Sequence, residues 1–122
     1  MWTTLKYQKA VYVGYVKTIK KSKFGSRVAT NIRHGSGTMT YNSSENCCRS
    51  YYGSWWDDRQ HGRGTEHRGD GLATFVGEYR NGSKHGRGVW KYINGNIDKG
   101  IWKFGTKVKT IMRGNTKERF DT

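Results

Sequence analysis

The sequence predicts an all-β fold: a solenoid-like stack of antiparallel β-hairpins forming one elongated, twisted sheet with little or no helix. A repeat is the first observation that predicts it. Gly53-Ser54-Trp55, Gly77-Glu78-Tyr79 and Gly100-Ile101-Trp102 begin 24 and 23 residues apart, and His-Gly-x-Gly begins at His34, His61 and His85, 27 and 24 residues apart. Composition is the second. Of 122 residues only 33% are apolar, 17 are Gly and none is Pro, yet there are 5 Trp, 8 Tyr and 4 Phe. Such a chain fits one small domain with a thin core, filled largely by rings.

The unit follows from strand geometry. Tyr51, Gly53 and Trp55 stand at i, i+2 and i+4, so they share one face of a strand. That face reads ring, gap, ring. The gap is expected to let a ring from the neighbouring hairpin lie over bare backbone, as aromatic rescue of strand glycine does. A tight turn follows, then a return strand through His-Gly-x-Gly, whose alternating glycines should leave one face of that strand bare as well. A single hairpin is marginal in water, so each must bury its rings against the next, the condition that makes a solenoid.

Taken in order, the first unit spans about 1–44. It holds Tyr12 and Gly14, with Val16 where a second ring belongs, then His34, Gly35 and Gly37. Twenty residues separate Gly14 from His34, against eight between Gly53 and His61. The stretch "KTIKKSKFGSRVATNI" therefore contains an insertion of twelve, expected to be an exposed hairpin. The second unit holds Tyr51, Gly53, Trp55, His61, Gly62 and Gly64, with Asp57-Asp58 as its turn. Phe75, Gly77, Tyr79, His85, Gly86 and Gly88 make up the third, with Asn81-Gly82, a strong two-residue hairpin signal. Connectors between units fall at "YNSS" (41–44), "RGDG" (68–71) and "INGN" (93–96). These core repeats cover about 45–97. The fourth unit, with a basic tail, covers about 98–122. It keeps Gly100 and Trp102 but has Asp98 at the first ring position and "KFGTKVK" in place of His-Gly-x-Gly, which suits a cap. The only stretch with room for a helical turn is 110–122, and Gly114 weakens it.

Two catalytic readings of His-Gly-x-Gly fail on its surroundings. A phosphate cradle needs a strand running into a helix N-terminus, and no helical pattern follows. Nucleophilic catalysis needs a Cys or Ser partner and an orienting carboxylate, whereas this His recurs in one structural slot. A zinc ladder through His34, His61 and His85 would need bonds of ~2 Å between hairpins ~10 Å apart. The His is read instead as packing: its ring fills space beside Trp or Tyr, and a ring nitrogen bonds a turn carbonyl. Cys47 and Cys48 are adjacent, match no zinc spacing and make a strained disulfide, so they read as reduced thiols. No catalytic residue, metal ligand or cofactor is expected, and the protein is not read as an enzyme.

Net charge is +14. Residues 1–44 carry eight Lys/Arg and no acid, residues 45–98 eight against seven acids, and residues 99–122 seven against two. Cationic flanks around a balanced middle point to a negative partner. Lys17, Lys20, Lys21, Lys23 and Arg27, interleaved with Ile19 and Phe24, form one candidate anion-binding cluster; Lys103, Lys107 and Lys109 form another. Near an anionic leaflet each such charge contributes ~1 kcal/mol. Contact with nucleic acid would be phosphate-driven and salt-sensitive, because the Trp and Tyr at the repeat positions are committed to burial. No apolar run approaches the ~20 residues of a membrane span. The N-terminus shows no signal-peptide pattern, and the protein is read as intracellular.

"YYGSWWDDRQHGRG" and "FVGEYRNGSKHGRG" resemble the membrane occupation and recognition nexus (MORN) repeat, whose pattern is Tyr-x-Gly-x-Trp, a short turn with Asn-Gly, then His-Gly-x-Gly, in units of about 23 residues. The resemblance covers roughly residues 12–108. It implies a single MORN-repeat domain over 1–122 and a non-catalytic role in scaffolding, dimerisation or membrane–cytoskeleton junctions. Short arrays of this kind also occur in large DNA viruses, and the family has been proposed to bind anionic phosphoinositides. The expected partners are proteins of a larger assembly, such as a virion capsid, a ribosome-like particle or a cytoskeletal lattice, with self-association through exposed edge strands. Anionic phospholipid is the alternative, and non-specific nucleic-acid contact a weaker one. The expected location is cytoplasmic, within such a particle, or peripheral to a membrane.

Overall fold

The computed structural model describes residues 1–23, 26–41, 49–69 and 71–115. Among them lie β1 (Trp2–Tyr7), β2 (Ala10–Lys23), β3 (Ser26–Tyr41), β4 (Arg49–Trp56), β5 (Arg59–Arg68), β6 (Ala73–Arg80), β7 (Ser83–Tyr92), β8 (Asn96–Lys103) and β9 (Thr106–Asn115). They form one nine-stranded sheet in chain order, each strand antiparallel to the next. The described residues contain no helix. Residues 110–115, left open to a helical turn by their sequence, continue β9, and the rest of that stretch lies outside the described residues. So do Cys47 and Cys48. β1 is an added strand: residues 2–7 carry no repeat motif, yet they pair with β2 from Trp2 opposite Tyr15 to Tyr7 opposite Ala10.

The turns follow their chemistry. Asp57 and Asp58 have φ of 48° and 69°, Asn81 and Gly82 of 48° and 90°, Phe104 and Gly105 of 51° and 85°. Positive φ at both central residues is the type I′ turn, whose twist matches that of the paired strands. The insertion is a two-stranded extension: β2 and β3 pair on from Val16 opposite Arg33 to Lys23 opposite Ser26, past the ends of β1 and β4.

Glycine sets the register. Gly14 stands opposite Gly37, Gly37 opposite Gly53, Gly53 opposite Gly64, Gly64 opposite Gly77, Gly77 opposite Gly88, and Gly88 opposite Gly100. One glycine row thus crosses the sheet from β2 to β8. Its vacancy is filled from within each hairpin. A Cβ at Gly37 would overlap the Tyr12 ring, one at Gly64 the Tyr51 ring, and one at Gly88 the Phe75 ring. This corrects the expectation that a neighbouring hairpin supplies the ring. The leading strand lays its own first ring across its own return strand, because the next residue row on that face is only a strand spacing away.

The second ring joins hairpins. Trp55 meets Tyr12 of the preceding hairpin edge-to-face at 5.4 Å, Tyr79 meets Tyr51 at 5.0 Å, and Trp102 meets Phe75 at 5.1 Å. Within hairpins Tyr51–Trp55 and Phe75–Tyr79 are likewise edge-to-face. The result is a continuous herringbone, the favoured geometry for aromatic quadrupoles. Tyr12, Tyr51 and Phe75 are 0–1% exposed. The Trp55 indole Nε1 also donates to the Gly37 carbonyl at 3.1 Å. In the fourth unit no ring of the described residues covers Gly100; the Lys107 side chain lies against it and its ammonium reaches Asp98 at 2.7 Å.

Candidate interaction surfaces

His-Gly-x is a β-bulge. Register breaks between Gly53 and Trp55, so that His61, Gly62 and Arg63 stand opposite Ser54 alone; the same break recurs at Gly14/Val16 and Gly77/Tyr79. The bulge explains why the motif needs two glycines for two reasons. Gly35, Gly62 and Gly86 have φ of 99°, 93° and 105°, a region that only glycine enters cheaply. The second glycines belong to the row under the rings. A side chain at Gly62 would point at Ser54, on the opposite face from the Tyr51 ring that covers Gly64. The two glycines therefore do not bare one common face, as their alternation predicts, because the bulge reverses the alternation.

The histidines fasten each turn to the preceding hairpin. His34 Nδ1 accepts from the Asp57 amide at 3.1 Å, His61 Nδ1 from Asn81 at 3.3 Å, and His85 Nδ1 from Phe104 at 3.4 Å. Beside each runs a backbone bond: Asp58 to the Arg33 carbonyl at 2.8 Å, Gly82 to Gln60 at 2.8 Å, Gly105 to Lys84 at 2.9 Å. The partner is a turn N–H, where the sequence pattern led us to expect a turn carbonyl. A type I′ turn leaves its first central amide without a partner inside the hairpin, and the neutral ring nitrogen supplies one. His34 also packs on Trp56 and His85 on Phe104.

Charges roof the ring face. Glu66, two residues past Gly64, stands in the row of first rings between Tyr51 and Phe75 and is 3% exposed. Arg49 reaches its carboxylate at 2.9 Å, Lys84 at 3.0 Å and Arg68 at 3.6 Å. Burial pushes the Glu66 carboxyl up, but the Lys84 hydrogen bond and the charges of Lys84, Arg49 and Arg68 outweigh it, and the group lies below its ordinary range. Lys84 spreads over Phe75 and Trp90, and Arg33 over Trp55 and Tyr7, as cation–π lids. Arg33 is in turn fixed by Asp58 at 2.7 Å. Burial holds the phenols high: Tyr12 is pushed up to about 12, and Tyr51 and Tyr79 are raised further. Sequence reading missed this roof. The signal was present, since Glu66 follows the row glycine at the spacing that Met39 and Trp90 share.

Of the anion-binding candidates, Lys17 pairs with Asp57 and lies 5.8 Å above the Trp56 ring, and it draws the Asp57 carboxyl below its usual range. Lys20 is exposed on the β2–β3 extension, and Lys103 and Lys109 are exposed on β8 and β9. Lys107 is engaged with Asp98. The side chains of Lys21, Lys23 and Arg27 lie outside the described ones. Among the described residues no three His, Cys, Asp or Glu side chains gather in a way that would hold a metal ion, and no helix is long and apolar enough to cross a membrane.

Compared with known protein families, the chain matches the MORN repeat over residues 31–45, 51–73 and 75–97. The matched stretches begin in β3 and run through the bulged return strands to the start of β8. No curated protein matches the chain.

Proposed function

The chain belongs to the MORN repeat family, and from that premise we propose that it is a non-catalytic interaction scaffold, a small structural component of a larger assembly. Repeats of this family are often engaged in protein or membrane interaction and are generally non-catalytic. One observation carries the reading: the motif residues are consumed by architecture. Each repeated His ring nitrogen holds a turn amide, and each row glycine of a return strand lies under a ring. What remains for recognition is surface: two sheet edges, the β2–β3 extension and surplus cations. A sheet edge offers unpaired backbone donors and acceptors to another strand. β1, with Lys6 its only charged side chain, is the less guarded edge; β9 carries Lys107, Lys109 and Arg113. Light scattering on the pure chain tests the reading. Mass above that of one chain, retained when anionic vesicles are added, is expected. A strict monomer at every concentration, captured only by vesicles, would overturn it.

That outcome would favour binding to anionic phospholipid, a reading supported by the overhang of β2 and β3. A two-stranded ribbon is marginal alone, and this one carries Lys17 and Lys20 beyond its neighbouring strands. Vesicle binding would then rise with anionic lipid and fall with salt.

A further inference from the structure

The sheet carries a second set of aromatics on the face turned away from the buried rings. Trp2, Tyr15, Tyr52 and Trp56 are 56%, 48%, 58% and 57% exposed. Tyr15 lies between Gly14 and Val16, while Tyr52 and Trp56 directly follow the buried Tyr51 and Trp55, so alternation turns all three outward. Trp2 stands opposite Tyr15, and their rings meet edge-to-face at 5.1 Å. The ground between Tyr15 and Tyr52 is small and polar. Ser36 stands opposite Ser54, Thr38 opposite Tyr52, and a depression of about 280 Å³ beside Tyr52 is lined by Ser36, Ser54, Arg63 and Thr65.

Charge on the molecule is unbalanced in a telling way. The acids among the described residues are engaged: Asp57 by Lys17, Asp58 by Arg33, Glu66 by Arg49 and Lys84, Asp98 by Lys107, and Glu78 by the Arg87 amide. The cationic excess, +14 over the whole chain, is left for something outside. Arg63, exposed at the rim of the depression, meets no carboxylate within ion-pair distance among the described residues.

We propose that this outer face binds single-stranded nucleic acid, with bases stacked on Tyr52 and the neighbouring exposed rings and phosphates held by flanking cations such as Arg63. Every base has a π face, so exposed rings on a cationic surface grip a strand with little regard to sequence. Hydroxyls of Ser36, Ser54 and Thr65 offer donors and acceptors to base edges and sugars. The same hydroxyl floor fits an acyl layer poorly, since burying it there would strand polar groups. A second copy of the chain laid face to face would oppose like charges. A duplex keeps its bases stacked and offers the rings nothing but phosphates. The proposal does not depend on the scaffold reading.

Titration of the full chain with labelled oligo(dT), oligo(U) and a matched duplex, followed by anisotropy and tryptophan quenching, tests it. Vesicles of phosphatidylcholine with phosphatidylserine form a separate arm. Single strands should bind more tightly than the duplex. Tyr52→Ala should weaken single-strand binding by roughly tenfold or more, and Tyr52→Phe should restore it. Arg63→Ala should lower the salt slope by about one. Equal affinity for duplex, an unchanged Tyr52→Ala, or binding to vesicles alone would overturn the proposal. Should Tyr52→Ala fail to fold by near-ultraviolet circular dichroism, photocrosslinking of a bromouracil strand to the unmodified chain decides. Crosslinks at Tyr52 or Trp56 support the site, and crosslinks found only elsewhere refute it.

Discussion

Tyr51 and Tyr79 are both buried phenols, and they differ in one bond. The Tyr51 hydroxyl donates to the Ser54 carbonyl at 2.9 Å. The Tyr79 hydroxyl is buried and has no hydrogen-bond partner among the described residues. It stands where Trp55 stands one unit earlier, and there an indole N–H reaches the Gly37 carbonyl. A phenol projects its donor in a different direction from an indole, so Tyr79 fills the ring slot without completing the bond. Removing the two hydroxyls should therefore have opposite consequences. Tyr51→Phe is expected to lower stability by about 1 kcal/mol, the ordinary worth of a hydrogen bond. Tyr79→Phe should be neutral or mildly stabilising, since it relieves an unsatisfied buried group. Urea unfolding midpoints of both variants check the contrast. Equal losses would show that Tyr79 has a partner, such as an ordered water. The ring slots themselves were legible in the sequence at i and i+4, with glycine at i+2. The missing bond was not, because it depends on which atom of the ring carries the hydrogen.

At the scale of the hairpin, the repeat made most of the architecture readable. The type I′ turns at Asp57-Asp58 and Asn81-Gly82, the connector at 93–96 and the overhang of β2 and β3 stand where turn residues and the interrupted spacing put them, while most of the connector at 41–44 lies outside the described residues. The bulge escaped because a register break is a relation between strands, and nothing in the order His-Gly-Arg-Gly says which strand it faces. β1 escaped for a different reason. It has Thr3 opposite Gly14 and Leu5 opposite Tyr12, so it completes the ring row without copying the motif. Tyr52 and Trp56 were masked by their neighbours: in "YYGSWW" one ring of each pair faces inward, and the other must face out. The herringbone gives the hairpin its testable consequence. Trp55 couples the first hairpin to the second and Tyr79 the second to the third. Removing a buried ring costs about 3–5 kcal/mol. The double substitution Trp55→Ala with Tyr79→Ala therefore approaches the whole ~5–15 kcal/mol stability of a domain. It should abolish cooperative thermal unfolding and near-ultraviolet dichroism. A folded double mutant would mean that the backbone ladder, and not the rings, joins the units.

For the whole molecule the governing quantity is charge. A solenoid is stabilised by contacts between neighbouring units, so a defect at one interface is not rescued by a distant core. Glu66 sits at such an interface, on β5 between the rings of β4 and β6, and binds cations from three strands: Arg49 on β4, Arg68 on β5 and Lys84 on β7. Elsewhere the net charge of +14 is self-repulsive. Two terms thus respond differently to solution conditions. Repulsion between exposed cations is screened within ~8 Å at physiological salt, so added salt should raise the melting temperature. The Glu66–Lys84 pair is shielded from water and should be affected less. Acid acts through Glu66. Its folded pKa lies below the ordinary value of a free glutamate, so the stability it contributes is complete above that ordinary value and is lost as pH falls through the folded pKa. Protonation also adds to a charge that is already large, so the acid transition should move to lower pH as salt is raised. Glu66→Gln separates the terms. It leaves Lys84 and its neighbours without a counter-charge and should cost about 3 kcal/mol at neutral pH, the low end for a broken buried pair because Arg49 and Arg68 are partly in solvent. The variant should then show a shallower loss of stability between neutrality and the acid transition than the parent chain. Thermal melts across pH at two salt concentrations would read both effects, and an acid limb in Glu66→Gln as steep as the parent's would assign acid unfolding to other carboxylates.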